Sequence, residues 1–323
     1  MKKKNNKVEI FCTIGPASIN KKFLKFANSN VDLLRLNMSH LNLNQLKKNI
    51  FYLKKYSNVP ICIDTEGAQI RTKCKKNRFF KKNNKIKIFR DKNFYLYPDD
   101  VFGKLKVNDR LDIGFRGLCV KIKKKSNNFL LGVVEKSGYF EPNKGVHILN
   151  RKIKLNYLTK KDSEAIKIGQ KLNIKHYALS FTNTGKDVVN FNNLLKNKNK
   201  IFKIETKDAI KNLGEILKVG NNLLIDRGDL SKDIKIENVP IVQRKIISKA
   251  RKNKKKVYVA TNFLESMISN IYPTRAEVND IYNTIEMGAK GLVLAAETAI
   301  GKNPEECIKI LKKIIGVFKK NDV

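Results

Sequence analysis

The sequence predicts an α/β fold: a (β/α)8 TIM barrel with a small all-β domain inserted after barrel strand 3. Three observations carry this prediction. Short apolar runs of buried-strand type recur eight times, at residues 8–12, 33–36, 59–63, 176–180, 201–204, 223–225, 257–260 and 291–294. Segments of helical length separate most of them. Between the third and fourth runs the pattern changes to the two-residue alternation of half-buried strands.

The eight runs are apolar throughout, which suits strands covered on both faces and hence a parallel sheet. Strand–helix alternation repeated eight times closes such a sheet into a barrel. The helices announce their starts. Thr159-Lys160-Lys161-Asp162 opens a helical stretch to Leu172. Asn303-Pro304-Glu305-Glu306 supplies an N-cap, a proline at the first helical position and early acids for the last amphipathic helix, expected to end near Lys319. The alternating segment runs from about Cys74 to Ile148 and contains KIKIF, LCVKIKK and FLLGVVE between Gly and Asn-Asp turns. The expected division is therefore 1–73 with 149–323 for the barrel, and 74–148 for an inserted β-domain. An insertion after strand 3 enters at the C-terminal mouth, where it is expected to act as a lid.

Composition narrows the function classes. The 323 residues allow one large domain, or one large and one small, and ordinary apolar content is enough for a core. No apolar run reaches the ~20 residues of a bilayer span. The basic start, Met1-Lys2-Lys3-Lys4-Asn5-Asn6, precedes no apolar segment of signal-peptide length. The expectation is a soluble, cytoplasmic protein without a membrane partner. The five cysteines, Cys12, Cys62, Cys74, Cys119 and Cys307, are odd in number and widely spaced, with no C-x-x-C. They indicate neither a disulfide framework nor a zinc site; Cys12 and Cys62 read as small buried hydrophobes. The net charge is +39, but the lysines are spread along the whole chain among Asn and Ile, and arginine is sparse. Aromatics do not interleave with the basic runs as a stacking surface requires. Compositional drift is favoured, with no specific nucleic-acid partner. Weak, salt-sensitive attraction to polyanions follows from the charge alone.

Side chains at the C-terminal strand ends of a barrel converge on one mouth. Arg35 and Asn37 end the second run, with Ser39 and His40 following. Asp64 and Thr65 end the third, and Lys203 and Glu205 the fifth. Asp229, Thr261 and Glu297 follow the sixth, seventh and eighth. Carboxylates, a lysine, an arginine and small hydroxyls around one mouth suit metal-assisted chemistry on an anion. Without competing thiolates or histidine pairs, the carboxylates favour a hard ion, Mg2+ or Mn2+. Taken singly, each motif has a plainer reading. Lys203-Ile204-Glu205 reads as an ordinary strand with a surface ion pair, and Arg227-Gly228-Asp229 as a turn and N-cap. Thr274 to Glu277 is a capping box that needs no catalytic role, and His176 is structural.

Together, these segments resemble the pyruvate kinases. The stretches that carry the resemblance are Cys12 to Ser18; Arg35 to His40; Asp64-Thr65 with Gly67 and Ile70-Arg71-Thr72; Lys144-Gly145-Val146; Lys203-Ile204-Glu205; Arg227 to Leu230; Ala260-Thr261 with Leu264 to Met267; Pro273 to Glu277; and Glu297-Thr298. They stand in the family's order from residue 8 to about residue 305. The resemblance implies transfer of the phosphoryl group of phosphoenolpyruvate to ADP in glycolysis, giving pyruvate and ATP. It implies that Glu205 and Asp229 hold the divalent metal and that Lys203 neutralises the enolate and the moving phosphoryl. The backbone N–H groups of Gly228 and Asp229 would hold the substrate carboxylate. Thr261 would orient a proton donor through water, and Arg35 would clamp the phosphate. Asn37, Ser39, Asp64 and Thr65 match the family's potassium (K+) site. Asn37, His40, Arg71 and Lys144 match positions near the nucleotide. The family's C-terminal regulatory domain is expected to be absent, and with it effector regulation; a homo-oligomer stays open.

The chain also departs from the family's wording. Glu66, Ala68 and Gln69 stand where the family writes Lys, Pro and Glu, and Asn183 stands for an arginine. Ile113-Gly114-Phe115-Arg116-Gly117 replaces an Asp-Asp-Gly turn. His147, Asn262 and Ala295-Ala296 differ as well. These departures gather on the expected nucleotide side. The alternatives are therefore a metal-dependent enzyme on a pyruvate-type substrate with another acceptor or reaction, and a non-catalytic homologue.

Overall fold

The computed structural model describes residues 7–114 and 117–321. The basic start, Met1 to Asn6, and the Phe115-Arg116 pair lie outside the described residues. The chain divides into two compact units, Met1–Gly67 with Lys160–Val323, and Ala68–Thr159.

In the first unit eight parallel strands close into a barrel: β1 (Glu9–Thr13), β2 (Leu33–Asn37), β3 (Ile61–Asp64), β4 (His176–Leu179), β5 (Asn199–Ile204), β6 (Asn222–Asp226), β7 (Lys256–Ala260) and β8 (Gly291–Leu294). Each strand lies beside its neighbour in the chain, and β8 closes on β1 with Glu9 opposite Gly291. Every strand contributes a side chain to one apolar cluster: Phe11, Leu33, Cys62, Ala178, Ile201, Leu224, Tyr258 with Ala260, and Val293. A barrel interior filled in this way is a packed core, so polar chemistry is left to the strand ends. Gly291 is needed for closure, because a Cβ there would stand 2.4 Å from the carbonyl oxygen of Glu9.

The surrounding helices follow their sequence signals. Asn42 and Gln45 form a capping box at the start of Leu43–Tyr56. The helix Lys160–Lys171 buries Asp162, Ala165, Ile166 and Gly169. The last helix, Pro304–Asn321, begins at the expected proline. All five cysteines are free, and Cys12 and Cys62 are buried. Among the described residues no helix is long and apolar enough to cross a membrane.

The second unit is itself a closed barrel of seven strands. In spatial order they are Phe129–Lys136, Lys85–Phe89, Tyr95–Tyr97, Ile70–Lys73, Gly145–Ile148, Arg110–Ile113 and Leu118–Lys125. Ile86, Ile88, Val120, Ile122, Leu130 and Val134 alternate into its core, as period-two patterning requires. The limits of this unit lie outside 74–148 on both sides. Ile70–Lys73 pairs with Tyr95–Tyr97 and with Gly145–Ile148. Arg151 is held at 2.6 Å by Asp109, which is buried. These flanking residues find their partners only through space, so the local change of period places the boundaries too far inward.

Candidate active site

The C-terminal ends of β2, β3, β5, β6 and β7 bring their polar residues to one mouth. Lys203 stands at the centre. Its Nζ lies 2.8 Å from Glu205 Oε1, 3.2 Å from Asp226 Oδ2 and 3.3 Å from Asp64 Oδ2, with Ser180 Oγ at 3.2 Å. It is 3% exposed, so the expected surface ion pair is in fact buried. Burial opposes the ammonium's charge, but Asp64, Glu205 and Asp226 outweigh it and hold its pKa above the usual lysine range. Lys203 is therefore a permanent cation in this setting.

Glu205 shows the opposite balance. Burial raises its pKa, Lys203 lowers it, and Asp226 and Asp229 raise it again, leaving it pushed up to about 8. Its other oxygen, Oε2, accepts the N–H of Phe181 at 2.6 Å. Phe181 has a left-handed backbone, φ 53°.

Arg35 is buried and bonded within the protein. Its Nε and Nη2 face Asp64 Oδ2, and Nη1 donates to Thr13 Oγ1 at 2.9 Å. A guanidinium has more N–H donors than these partners use, so donors remain for an anion. Asp64 is fully buried, and Ser180 Oγ donates to its other oxygen at 3.1 Å.

Thr261 follows the seventh run with φ 75°, a left-handed conformation that is costly for a β-branched residue. Arg227 holds it there. The guanidinium donates to the carbonyl of Thr261 from Nε at 3.0 Å, pairs with Asp280 at 2.6 Å, and lies over the ring of Phe263. Strain of this kind persists only where surrounding bonds enforce it, and it gathers at functional sites. Thr261 Oγ1 accepts the N–H of Gly228 at 2.8 Å and lies 3.4 Å from Asp226 Oδ1. The Gly228 N–H is thus shared with Thr261 rather than presented open.

Glu205, Asp226 and Asp229 each offer a carboxylate oxygen, all within 4.8 Å of one another. Asp226 is the residue that sequence reasoning missed. The signal was available: it is a carboxylate at the C-terminal end of an apolar run, as are Asp64 and Glu205. The donor set fits a hard divalent cation, because it is oxygen-only and its three carboxylates converge within 4.8 Å.

The other candidates fall as follows. A cavity of about 780 Å3 is lined by Arg35, Asn37, His40, Asp226, Asp229 and Thr261 among others. Asn37 Oδ1 accepts the N–H of Ser39 at 3.0 Å, and Thr65 Oγ1 accepts that of Ser180 at 3.0 Å. Arg71 and Lys144 are carried by the second unit. There Arg71 Nε is buried without a hydrogen bond, and Lys144 pairs with Glu141 at 3.2 Å. Glu66, the acid in place of a lysine, is buried and paired with Lys161 at 3.0 Å, so its charge is neutralised locally. Asn183 is tied to Thr206 and accepts from Asn212. Glu297 does not join the polar set; it is buried and spends its oxygens on the N–H groups of Leu264 and Ala295. Thr274 and Glu277 form the expected capping box, and Glu277 also holds Ser266. His176 lies at the start of β4, the end opposite to the one that carries the mouth.

The chain is similar in sequence to known proteins of one family. The family model "Pyruvate kinase, barrel domain" matches residues 5–308. A pyruvate kinase of Thermotoga maritima is 35% identical over 95% of this chain and 70% of its own length. A pyruvate kinase of Methanocaldococcus jannaschii is 33% identical over 96% of this chain and 69% of its own. Plastidial pyruvate kinase 3 of Arabidopsis thaliana is 32% identical over 95% of this chain, which spans only 57% of that relative.

Proposed function

The chain belongs to the pyruvate kinase family, and we propose that it transfers the phosphoryl group of phosphoenolpyruvate to ADP, yielding pyruvate and ATP in glycolysis, in the cytoplasm. The observation that carries this reading is the buried Lys203 ammonium among Asp64, Glu205 and Asp226 at the barrel mouth, beside the strained Thr261.

In the transfer, the bond between phosphorus and the enol oxygen breaks and a bond to a terminal oxygen of ADP forms. The enolate left behind takes a proton at its methylene carbon. Phosphoryl transfer asks for positioning and charge stabilisation more than for covalent help. Lys203, a fixed cation in a water-poor pocket, would meet the negative charge on the enolate oxygen and the departing phosphoryl. Arg35 would turn its remaining N–H donors to the phosphate, held in place by Asp64 and Thr13. Gly228 and Asp229 would offer backbone N–H groups to the substrate carboxylate, with Thr261 Oγ1 giving up or sharing its bond to Gly228. The Thr261 hydroxyl would orient the water that protonates the enolate. Asn37 and His40 would contact the nucleotide.

Glu205 and Asp229 would hold Mg2+ or Mn2+, which when bound supplies Lewis-acid polarisation of the substrate oxygens. Asn37, Ser39, Asp64 and Thr65 would offer hard oxygens to a potassium ion; Asn37 Oδ1 accepts from Ser39 and Asp64 Oδ1 from Ser180, and each oxygen keeps a further lone pair.

The test is pyruvate release from phosphoenolpyruvate with and without ADP, in Mg2+ with K+ present or omitted, alongside Lys203→Met. ADP-dependent pyruvate that disappears in the variant is the expected result. Absence of turnover with any nucleoside diphosphate, despite measured phosphoenolpyruvate binding, would overturn it in favour of another acceptor or reaction.

A further inference from the structure

We propose that the end of the eight-stranded barrel opposite the mouth is a docking face for the phosphate backbone of double-stranded nucleic acid, bound without regard to sequence. This face takes no part in the catalytic reading above.

In a β/α barrel every segment leading from a helix to the next strand crosses the same end. Here those segments are rich in lysine. The one between the helix Val239–Lys252 and β7 runs from Lys249 to Lys256 and holds five lysines and Arg251. Lys54 and Lys55 precede β3, Lys171 and Lys175 precede β4, and Lys196 and Lys198 precede β5. The acids at this end are Glu9, Asp32 and Glu286. Every other acid of the barrel unit, among the described residues, lies at the C-terminal end of a strand or between there and the midpoint of the returning helix. Lysines that the sequence disperses are thus gathered in space, away from the carboxylates.

Helix dipoles favour cations in the last turn of a helix. That accounts for Lys54, Lys55, Lys171 and Lys249. It does not account for Lys175, Lys196, Lys198 and Lys254, which lie beyond the helix ends. The ion pairs at this end are Lys7–Asp32 and Lys290–Glu9. Among the described residues, Lys175, Lys196, Lys252 and Lys254 are exposed and have no carboxylate partner. Crowded ammonium groups repel one another, so a polyanion bound there relieves a cost already present. The second unit is lysine-rich too, but acids are interspersed and paired, as in Lys104–Asp100, Arg110–Glu135 and Arg151–Asp109.

The side chains among the lysines select the kind of polyanion. Asn58, Asn173, Asn197 and Asn221 are exposed at the same end. Ammonium groups mixed with neutral amide donors suit phosphate oxygens. The aromatic rings of these segments, Phe26 and Tyr56, are half-buried with lysines over them, so unpaired bases find no platform to stack on. Arg251 is spent on the carbonyl of Met287, which leaves no bidentate reader of base edges there. A duplex, with its phosphates outward and its bases enclosed, matches that chemistry.

The test is fluorescence anisotropy with a labelled duplex of about 20 base pairs and a single strand of the same length, beside co-sedimentation with phosphatidylserine vesicles. Wild type is compared with three full-length variants of equal charge change. One combines Lys175→Glu, Lys196→Glu and Lys252→Glu at the barrel end. The controls combine Lys186→Glu, Lys235→Glu and Lys302→Glu on the mouth side, and Lys85→Glu, Lys123→Glu and Lys124→Glu in the second unit. Cooperative melting verifies that each is folded. Wild-type affinity for the duplex is expected to fall about a hundredfold between about 50 and about 200 mM salt, as for about four phosphate contacts. At the lower salt the barrel-end variant is expected to lose about tenfold or more, and each control less than about threefold. A loss of equal size in either control overturns the proposal, because charge and not place then drives binding. Tighter binding of the single strand than of the duplex overturns it as well. Binding to vesicles without binding to the duplex overturns it in favour of a membrane surface.

Discussion

Glu205 carries the most legible electrostatic strain among the residues of the mouth. Burial, against the pull of Lys203 and with Asp226 and Asp229 close by, pushes its carboxyl up from the ordinary 4.5 to about 8. A carboxyl raised in this way contributes stability that is complete below pH 4.5 and is lost as pH rises through the folded value. Metal-free protein should therefore lose stability between those limits, and Glu205→Gln should flatten that loss in urea unfolding followed across pH. A cation must displace the same proton, so Mn2+ affinity should rise over the same window by up to about tenfold per pH unit. Affinity independent of pH would mean that Glu205 is not a ligand. Lys203, Glu205, Asp229 and Thr261 were visible in the sequence as polar residues closing apolar runs. Asp226 was not singled out, because its neighbour motif Arg227-Gly228-Asp229 supplied a more obvious carboxylate. The arginine of that motif serves the backbone of Thr261, which no spacing rule reveals.

The elements themselves obeyed local rules closely. The apolar runs became β1 to β8, and the capping signals at Asn42 and Thr274 became capped helix starts. What the elements could not announce is where they close. β1 and β8 meet across Gly291, whose missing side chain makes room for the carbonyl of Glu9. Gly291→Ala should therefore destabilise the protein by about 1–3 kcal/mol through overpacking, with no direct contact to the mouth. Equilibrium urea denaturation with the metal-site residues unchanged would measure this. A change below about 0.5 kcal/mol would show that the strands can separate to accept a methyl group. Ile70–Lys73 illustrates the same limit. It follows β3 closely in sequence, yet its ladder partners are Tyr95–Tyr97 and Gly145–Ile148 in the small barrel.

At the scale of the whole molecule, the charge of +39 dominates everything outside the mouth. Like charges at that density repel one another in the folded state and are screened by salt. The melting temperature should rise as NaCl goes from about 20 to about 300 mM, where the Debye length shortens several-fold. Retention on a polyanion column should weaken over the same range. A melting temperature that falls or stays constant would show that the surface ion pairs, such as Lys309–Glu306 and Lys167–Glu164, outweigh the self-repulsion.

The sequence by itself determined the fold class, the small β-domain inserted after barrel strand 3 and most of the residues at the mouth. Each of these follows from local quantities: the period of apolar residues, the polar residue that ends a run, the cap that starts a helix. Only the tertiary structure decided that the Lys203–Glu205 pair is buried, that Asp226 joins Glu205 and Asp229, and that Lys161 meets Glu66 across 95 residues of chain. Those encounters depend on the register in which the barrel closes. Closure brings together strand ends that the chain keeps far apart, and no local pattern encodes the distance between them.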